Sequence, residues 1–257
     1  MKFIYFLKVL AQVFNCYIKH YRYKPIATYD SIISLGYNCE VSFQFLRCNH
    51  FLDSHLFSWC NVYETKHLLD ALNDLDMLGK EFFPCKPMWR DANFGIDYHG
   101  RGGMKVWDST DSMESDKMEL LLRVSHLKEK FKNLSNTSDQ KVLFVYKFPL
   151  HELYKTNQLL SDIVMLRKVL REKYVRSSDL LVLVTEDVYP EISKAMQTID
   201  TQGLILDSIG FHAPFRNVTG PKFDKQGWNS LWIKYQMETN YYKEVLKSLS
   251  KKYKFGK

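Results

Sequence analysis

Three short apolar runs, each separated from the next by a segment of helix length, restrict this chain more than any other feature. They are KVLFVYKF (141–148), DLLVLVTE (179–186) and GLILDSIG (203–210). Runs rich in Val, Ile and Leu without alternation suit strands buried on both faces, which is the pattern of parallel sheets. Between them lie His151–Tyr174, with helical spacing, and Pro190–Thr198, a shorter helix opened by a proline. Parallel neighbours need crossovers of this kind, and those crossovers are right-handed. A fourth run, SIISL at 31–35, precedes a glycine turn and an amphipathic helix beginning near Asn38.

The class predicted is α/β, a Rossmann-like, mostly parallel sheet of at least four strands with flanking helices. With 257 residues, 46% of them hydrophobic and 15% aromatic, the chain can bury a large core. No internal repeat or low-complexity linker interrupts residues 26–257, which read as a single α/β domain. Within it, Leu56–Trp59 is apolar and buried, and Thr65–Leu78 places its leucines on one helical side. Residues 87–107 are loop and strand, and Ser115–Asn133 is a long polar-faced helix.

Residues 1–25 stand apart. Wound as a helix, Phe3, Phe6, Leu10, Val13 and Tyr17 share one face, with Lys8, Gln12, Asn15 and Lys19 opposite. Lys8, Gln12 and Asn15 break the apolar core that a signal peptide requires, and the segment is too interrupted to span a bilayer. Three roles fit: a helix lying on a membrane surface, a helix docked on the domain, or a partner-binding helix. Its aromatic richness and one-signed charge favour the first.

The net charge of +7 is concentrated at the ends. Residues 1–25 carry +5 and residues 240–257 carry +5, which leaves the body of the chain at −3. A protein that follows a phosphate backbone carries its basic surface on the body of the domain, so nucleic acid is not an expected partner. The five cysteines (Cys16, Cys39, Cys48, Cys60, Cys85) form no CxxC pair and are odd in number. They read as reduced thiols of a cytoplasmic protein, peripheral at the inner membrane face if the first helix binds there.

In parallel sheets functional groups gather beyond the carboxyl ends of the strands, where Cys39, Lys147, Glu186 and Asp207 emerge. Cys39 lies at a strand-to-helix turn, where unpaired N–H groups and the helix dipole favour a thiolate, the form that attacks carbonyls. The alternative is a small buried residue, the usual state of a free cysteine. A cysteine nucleophile requires a base. His99 stands at a strand-to-glycine junction two residues after Asp97, ahead of Gly100, Gly102 and Gly103, with Arg101 suited to hold an anion. A tight turn with a surface histidine explains the same residues. His55 and His212 are the other candidates. Cys48, His50, Asp53, His55 and Cys60 match no zinc spacing, so no metal is expected. Neither SLGYNCE nor GRGG forms a phosphate loop. Asp224 fits a helix cap better than a histidine partner.

IISLGYNCEVSF, LFSWCNVY, WRD, DYHG, KVLFVYK and the Gly227–Trp228 pair together resemble a bacterial family of unknown function. That family is grouped as papain-like cysteine peptidases and is often encoded with capsule and lipopolysaccharide genes. The resemblance spans about residues 29–232 and rests most on SLGYNC. It implies Cys39 as nucleophile and His99 as its partner, with Trp59, Arg90 and Trp228 in support. A second similarity, of GYNCE to the GNCQ motif of capsule-polysaccharide acetyltransferases, implies a Cys/His pair working with coenzyme A as acyl donor. Either way the chemistry is a thioester on Cys39. The expected sets are then Cys39, His99 and Asp97 for catalysis, and Asn38, Trp59, Arg90, Arg101 and Trp228 for a glycan or acyl-donor substrate. The expected role is acyl transfer or hydrolysis in surface-polysaccharide biosynthesis, with a non-catalytic module that binds a glycan or a glycosyltransferase as the alternative.

Overall fold

A computed structural model of the chain describes residues 29–49, 54–85, 87–100, 107–136, 140–148, 156–210 and 224–235. The 1–25 helix, Arg101 and His212 lie outside the described residues.

The parallel sheet contains β1 (Ser31–Ser34), β6 (Val142–Lys147), β7 (Ser178–Thr185) and β8 (Leu204–Ile209), in spatial order β1-β6-β7-β8. Every pairing is parallel, with Ser34 opposite Val145, Lys147 opposite Leu183, and Thr185 opposite Ile209. The expected strands are therefore present to within a residue or two. The order advances across the sheet without reversing, so these four strands lack the switch-point crevice of a doubly wound fold.

Alternation along each strand builds two cores. Val142, Phe144 and Tyr146 of β6 and Leu180, Val182 and Val184 of β7 face one side. There they pack on α2 (Thr65–Asn73), α4 (Thr156–Val169) and α5 (Tyr189–Met196). Leu143, Val145, Leu181 and Leu183 face the other side, against Val41 of α1 (Glu40–Asn49) and Trp228 and Leu231 of α6 (Lys225–Lys234). Asp224 caps α6, accepting the Gly227 N–H at 2.9 Å, which is the capping role its sequence position suggests. The chain leaves α4 through a π-helical turn, Leu170–Tyr174, whose Tyr174 hydroxyl donates to the Leu72 carbonyl at 2.6 Å.

The strand content expected within residues 87–107 belongs to a second sheet, whose pairing no sequence pattern indicates. Strands β2 (Cys60–Asn61), β3 (Phe82–Cys85), β4 (Met88–Asp91) and β5 (Asp97–His99) form an antiparallel sheet in the order β2-β5-β4-β3. Each strand has only two to four residues, too few for an alternating pattern to emerge. Pro84 also argues against a strand, and its β3 is accommodated because it occupies the edge of the sheet. The long helix α3 (Thr110–Lys132) begins five residues before Ser115, at a Ser109/Ser112 capping box. Its Asp116 accepts from the indoles of Trp89 at 2.7 Å and Trp107 at 2.9 Å, which ties the helix to the antiparallel sheet. Among the described residues no helix is long and apolar enough to cross a membrane.

Candidate active site

Beyond β1 the backbone turns sharply. Leu35 still donates its N–H to Val145 at 2.9 Å, and the next two residues are left-handed, Gly36 at φ 91° and Tyr37 at φ 73°. Gly36 is required on two counts. Its φ suits glycine alone, and an added Cβ would lie 3.0 Å from Val62 Cγ2 and 3.2 Å from Cys60 Sγ. Tyr37 lacks glycine's freedom, and a bulky residue at this φ stores strain that its surroundings must hold. Its carbonyl accepts the Val62 N–H at 3.0 Å, and the Lys147 ammonium stands 5.1 Å from its ring centroid.

Helix α1 begins directly after this turn. Asn38 Oδ1 accepts the Glu40 N–H at 3.0 Å, and the Cys39 carbonyl accepts the Phe43 N–H at 2.9 Å, so Cys39 holds the N-cap position. Lys147, the last residue of β6, shares a face with Leu143 and Val145 and points toward α1 and α6. It pairs with Glu40, and both side chains are 0% exposed. Trp228 Nε1 donates to the other oxygen of the same carboxylate, Glu40 Oε1, at 3.2 Å. Asn38, Cys39, Glu40, Lys147 and Trp228 therefore form one buried polar group between β6, α1 and α6.

Burial decides the electrostatics here. Cys39 is 4% exposed, and its thiol is pushed up from 9.0 to about 12, with Lys147 opposing the shift. The expected resting thiolate is thus corrected: desolvation outweighs the ammonium. Burial also lowers the affinity of Lys147 for its proton, and Glu40 opposes that. The neighbouring Cys60 thiol is raised well above its usual range by burial and then by Cys39.

His99 and Asp97 belong to the antiparallel sheet, on β5. Asp97 accepts from Arg90 Nε at 2.7 Å, Arg90 Nη2 at 3.0 Å and the Tyr63 hydroxyl at 2.8 Å. Arg90 also stacks 5.6 Å from the Tyr63 ring centroid. Asp97 and Arg90 thus form a bidentate pair with each other, within one sheet. The His99 N–H donates to the Trp59 carbonyl at 3.5 Å, and its carbonyl accepts from Arg123. Trp59 is half-buried, donating to Ser54 Oγ at 3.2 Å and meeting Phe43 edge-on at 4.9 Å, so it anchors α1. His55 is buried in the same turn, with its N–H on Ser58 Oγ at 2.9 Å.

Of the expected residues, the structure gathers Asn38, Cys39 and Trp228 around Lys147, which was expected at the carboxyl end of its strand though not in the site sets, and it adds Glu40. One signal marks each of these two. Lys147 ends an otherwise apolar strand on its buried face, and Glu40 directly follows the cysteine at a helix start. Among the described residues no three His, Cys, Asp or Glu side chains gather as a metal would need. Compared with protein-family models, curated proteins and solved structures, the chain matches none of them.

Proposed function

We propose that this α/β protein is a cysteine-dependent acyl transferase or hydrolase working at the carboxyl end of its parallel sheet. The observation that carries the reading is the strained Gly36–Tyr37 turn, which delivers Cys39 to the N-cap of α1 beside Lys147. Strained strand-to-helix turns are a recurrent way of presenting a nucleophile, and unpaired N–H groups at a helix start suit a developing oxyanion. In the reaction Cys39 loses its proton and its sulfur attacks the acyl carbonyl. The tetrahedral oxyanion collapses with departure of the protonated leaving group, and water or an acceptor hydroxyl then takes the acyl group from the thioester. The resemblance of SLGYNC to the capsule-linked families supports a surface glycan as acceptor and a coenzyme A thioester as donor. His99 is the proton-moving partner that the same resemblance suggests, with Trp59, Arg90 and Trp228 in support, and Asp97 and Arg101 join it by their positions beside His99 in the sequence.

A second reading is favoured by one observation. A thiol with a pKa near 12 is only about one part in 10⁵ ionised at pH 7. A non-catalytic module that binds a glycan or a glycosyltransferase needs no more than that. Intact-mass analysis after incubation with acyl-coenzyme A separates the two. An acyl adduct that Cys39→Ser abolishes supports the enzyme, and an unmodified mass together with full biological activity of Cys39→Ser supports the module.

A further inference from the structure

At the other end of the parallel strands from Cys39, a surface cavity of about 460 Å³ is lined by Arg167, Lys168, Arg171, Glu172, Arg176 and Gln202. Arg167 and Lys168 stand in the last turn of α4, and Arg171 and Glu172 in the π-helical turn that extends it. Arg176 shortly precedes β7 and Gln202 shortly precedes β8, so the cavity lies beyond the amino ends of those strands. Two guanidinium groups are fixed there by backbone. Arg167 Nη1 donates to the carbonyls of Asp200 at 3.0 Å and Gln202 at 2.7 Å, and its Nη2 donates to Asp200 Oδ2 at 3.2 Å. Arg171 Nε donates to the Arg176 carbonyl at 3.3 Å, and its Nη1 donates to the same Gln202 carbonyl at 3.4 Å. Gly203 makes room for this: its φ is +72°, and an added Cβ would stand 3.0 Å from Arg171 Nη1. Lys168 and Arg176 are exposed, and among the described residues their side chains have no hydrogen-bond or ion-pair partner.

Part of this basic cluster has a structural role. Arg167 clamps the 200–202 loop, and cations at a helix end offset its carbonyl dipole, which carries about half a negative charge. That accounts for less than the charge present. Four cations line the cavity; Glu172 and the Asp200 carboxylate on Arg167 offset two of them, and the dipole then leaves a surplus of about +1.5. The surplus stands on a body of chain that carries −3 between its two basic ends. Each guanidinium has five N–H donors; Arg171 uses two and Arg167 three, which leaves donors on both beside Lys168 and Arg176. Forked donors on fixed guanidinium groups match the oxygens of a phosphoryl group. A carboxylate brings one charge and two oxygens, whereas a phosphate monoester brings about −1.5 to −2 and three oxygens, closer to the surplus. The volume falls within the range of small-molecule sites, about 300–1,000 Å³, and exceeds what a bare phosphate fills. We infer that this cavity binds a phosphate monoester, carried on a soluble molecule of about sugar size or on a lipid headgroup. Such binding needs nothing from Cys39, which lies at the carboxyl end of the sheet.

The test titrates the full-length protein in low salt, by calorimetry, with glucose 6-phosphate, with glucuronate as a carboxylate of similar size and with glucose as the neutral sugar. Co-sedimentation with phosphatidylcholine vesicles containing phosphatidic acid presents the same group on a lipid. Glucose 6-phosphate should bind at one site, at least about tenfold more tightly than glucuronate, and glucose should not bind. Arg176→Gln and Lys168→Gln should each weaken binding about tenfold, the value of one charge-assisted hydrogen bond. Both should leave the unfolding midpoint unchanged, because neither side chain holds a polar contact in the fold. Lys117→Gln removes the same charge from α3, outside the cavity, and should leave binding as it was. Affinity should fall as pH drops through about 6, where the monoester loses its second charge. If only the phosphatidic acid vesicles bind, and both cavity variants release them, the site stands and its ligand is a lipid headgroup. Saturable binding of neither ligand, equal binding of glucuronate, or binding that survives both cavity substitutions would each overturn the inference. So would a loss from Lys117→Gln as large as that from Arg176→Gln, since overall charge would then explain the binding.

Discussion

Replacing Lys147 by methionine isolates the electrostatic centre of the site. The substitution nearly conserves volume, so packing changes little. It leaves the Glu40 carboxylate 0% exposed without its cation, though still receiving the Trp228 N–H. Breaking one side of a fully buried ion pair costs about 3–5 kcal/mol, whereas removing both charges is often neutral. For a domain of this size each kcal/mol corresponds to about 2–4 °C, so Lys147→Met should lower Tm by about 6–20 °C. Adding Glu40→Gln should recover most of that loss, because glutamine retains an oxygen for the Trp228 indole. Urea unfolding of wild type, both single variants and the double variant at pH 7 closes the cycle. The reasoning fails if Lys147→Met costs less than about 1 kcal/mol, or if the two losses simply add, since either result means the pair is solvated and uncoupled.

Four further outcomes are expected. Cys39, raised from 9.0 to about 12, should react with iodoacetamide about a thousandfold more slowly at pH 8 than an ordinary thiol, and urea should abolish the difference. Because the folded pKa lies above the unfolded one, the Cys39 contribution to stability is complete below pH 9 and is lost as pH rises toward 12; Cys39→Ala should remove about one proton from the alkaline slope of unfolding free energy. Gly36→Ala meets both a φ of +91° and a 3.0 Å contact with Val62, and should lose about 1–3 kcal/mol by thermal or urea unfolding; a neutral result would mean the turn relaxes freely. Deleting residues 2–24 should move the protein from the membrane to the soluble fraction if the first helix is an interfacial anchor, and an unchanged distribution would refute that role.

What the sequence disclosed and what it concealed divide along the range of the interactions. Strands β6, β7 and β8 were legible because each is a long apolar run, and the parallel sheet follows from their spacing. The antiparallel sheet was not, since its identity lies in cross-strand partners such as Asn61 opposite Asp97 and Arg90 opposite Asp97, which no local pattern encodes. The same limit applies to the site. Cys39 was recognisable from its turn, but its ionisation depends on burial, and its neighbourhood is built from distant chain: Lys147 of β6, and Trp228, which donates to Glu40 188 positions away. A helix N-terminus argues for a thiolate only while water reaches it. Buried at 4% exposure, Cys39 is governed by desolvation. The polar partners then become the informative residues, because a fold does not enclose Glu40 and Lys147 at a strand end without a structural or chemical reason. Lys147→Met with its Glu40→Gln rescue probes that enclosure. A destabilised Lys147→Met that Glu40→Gln restores would show that the ion pair holds the fold.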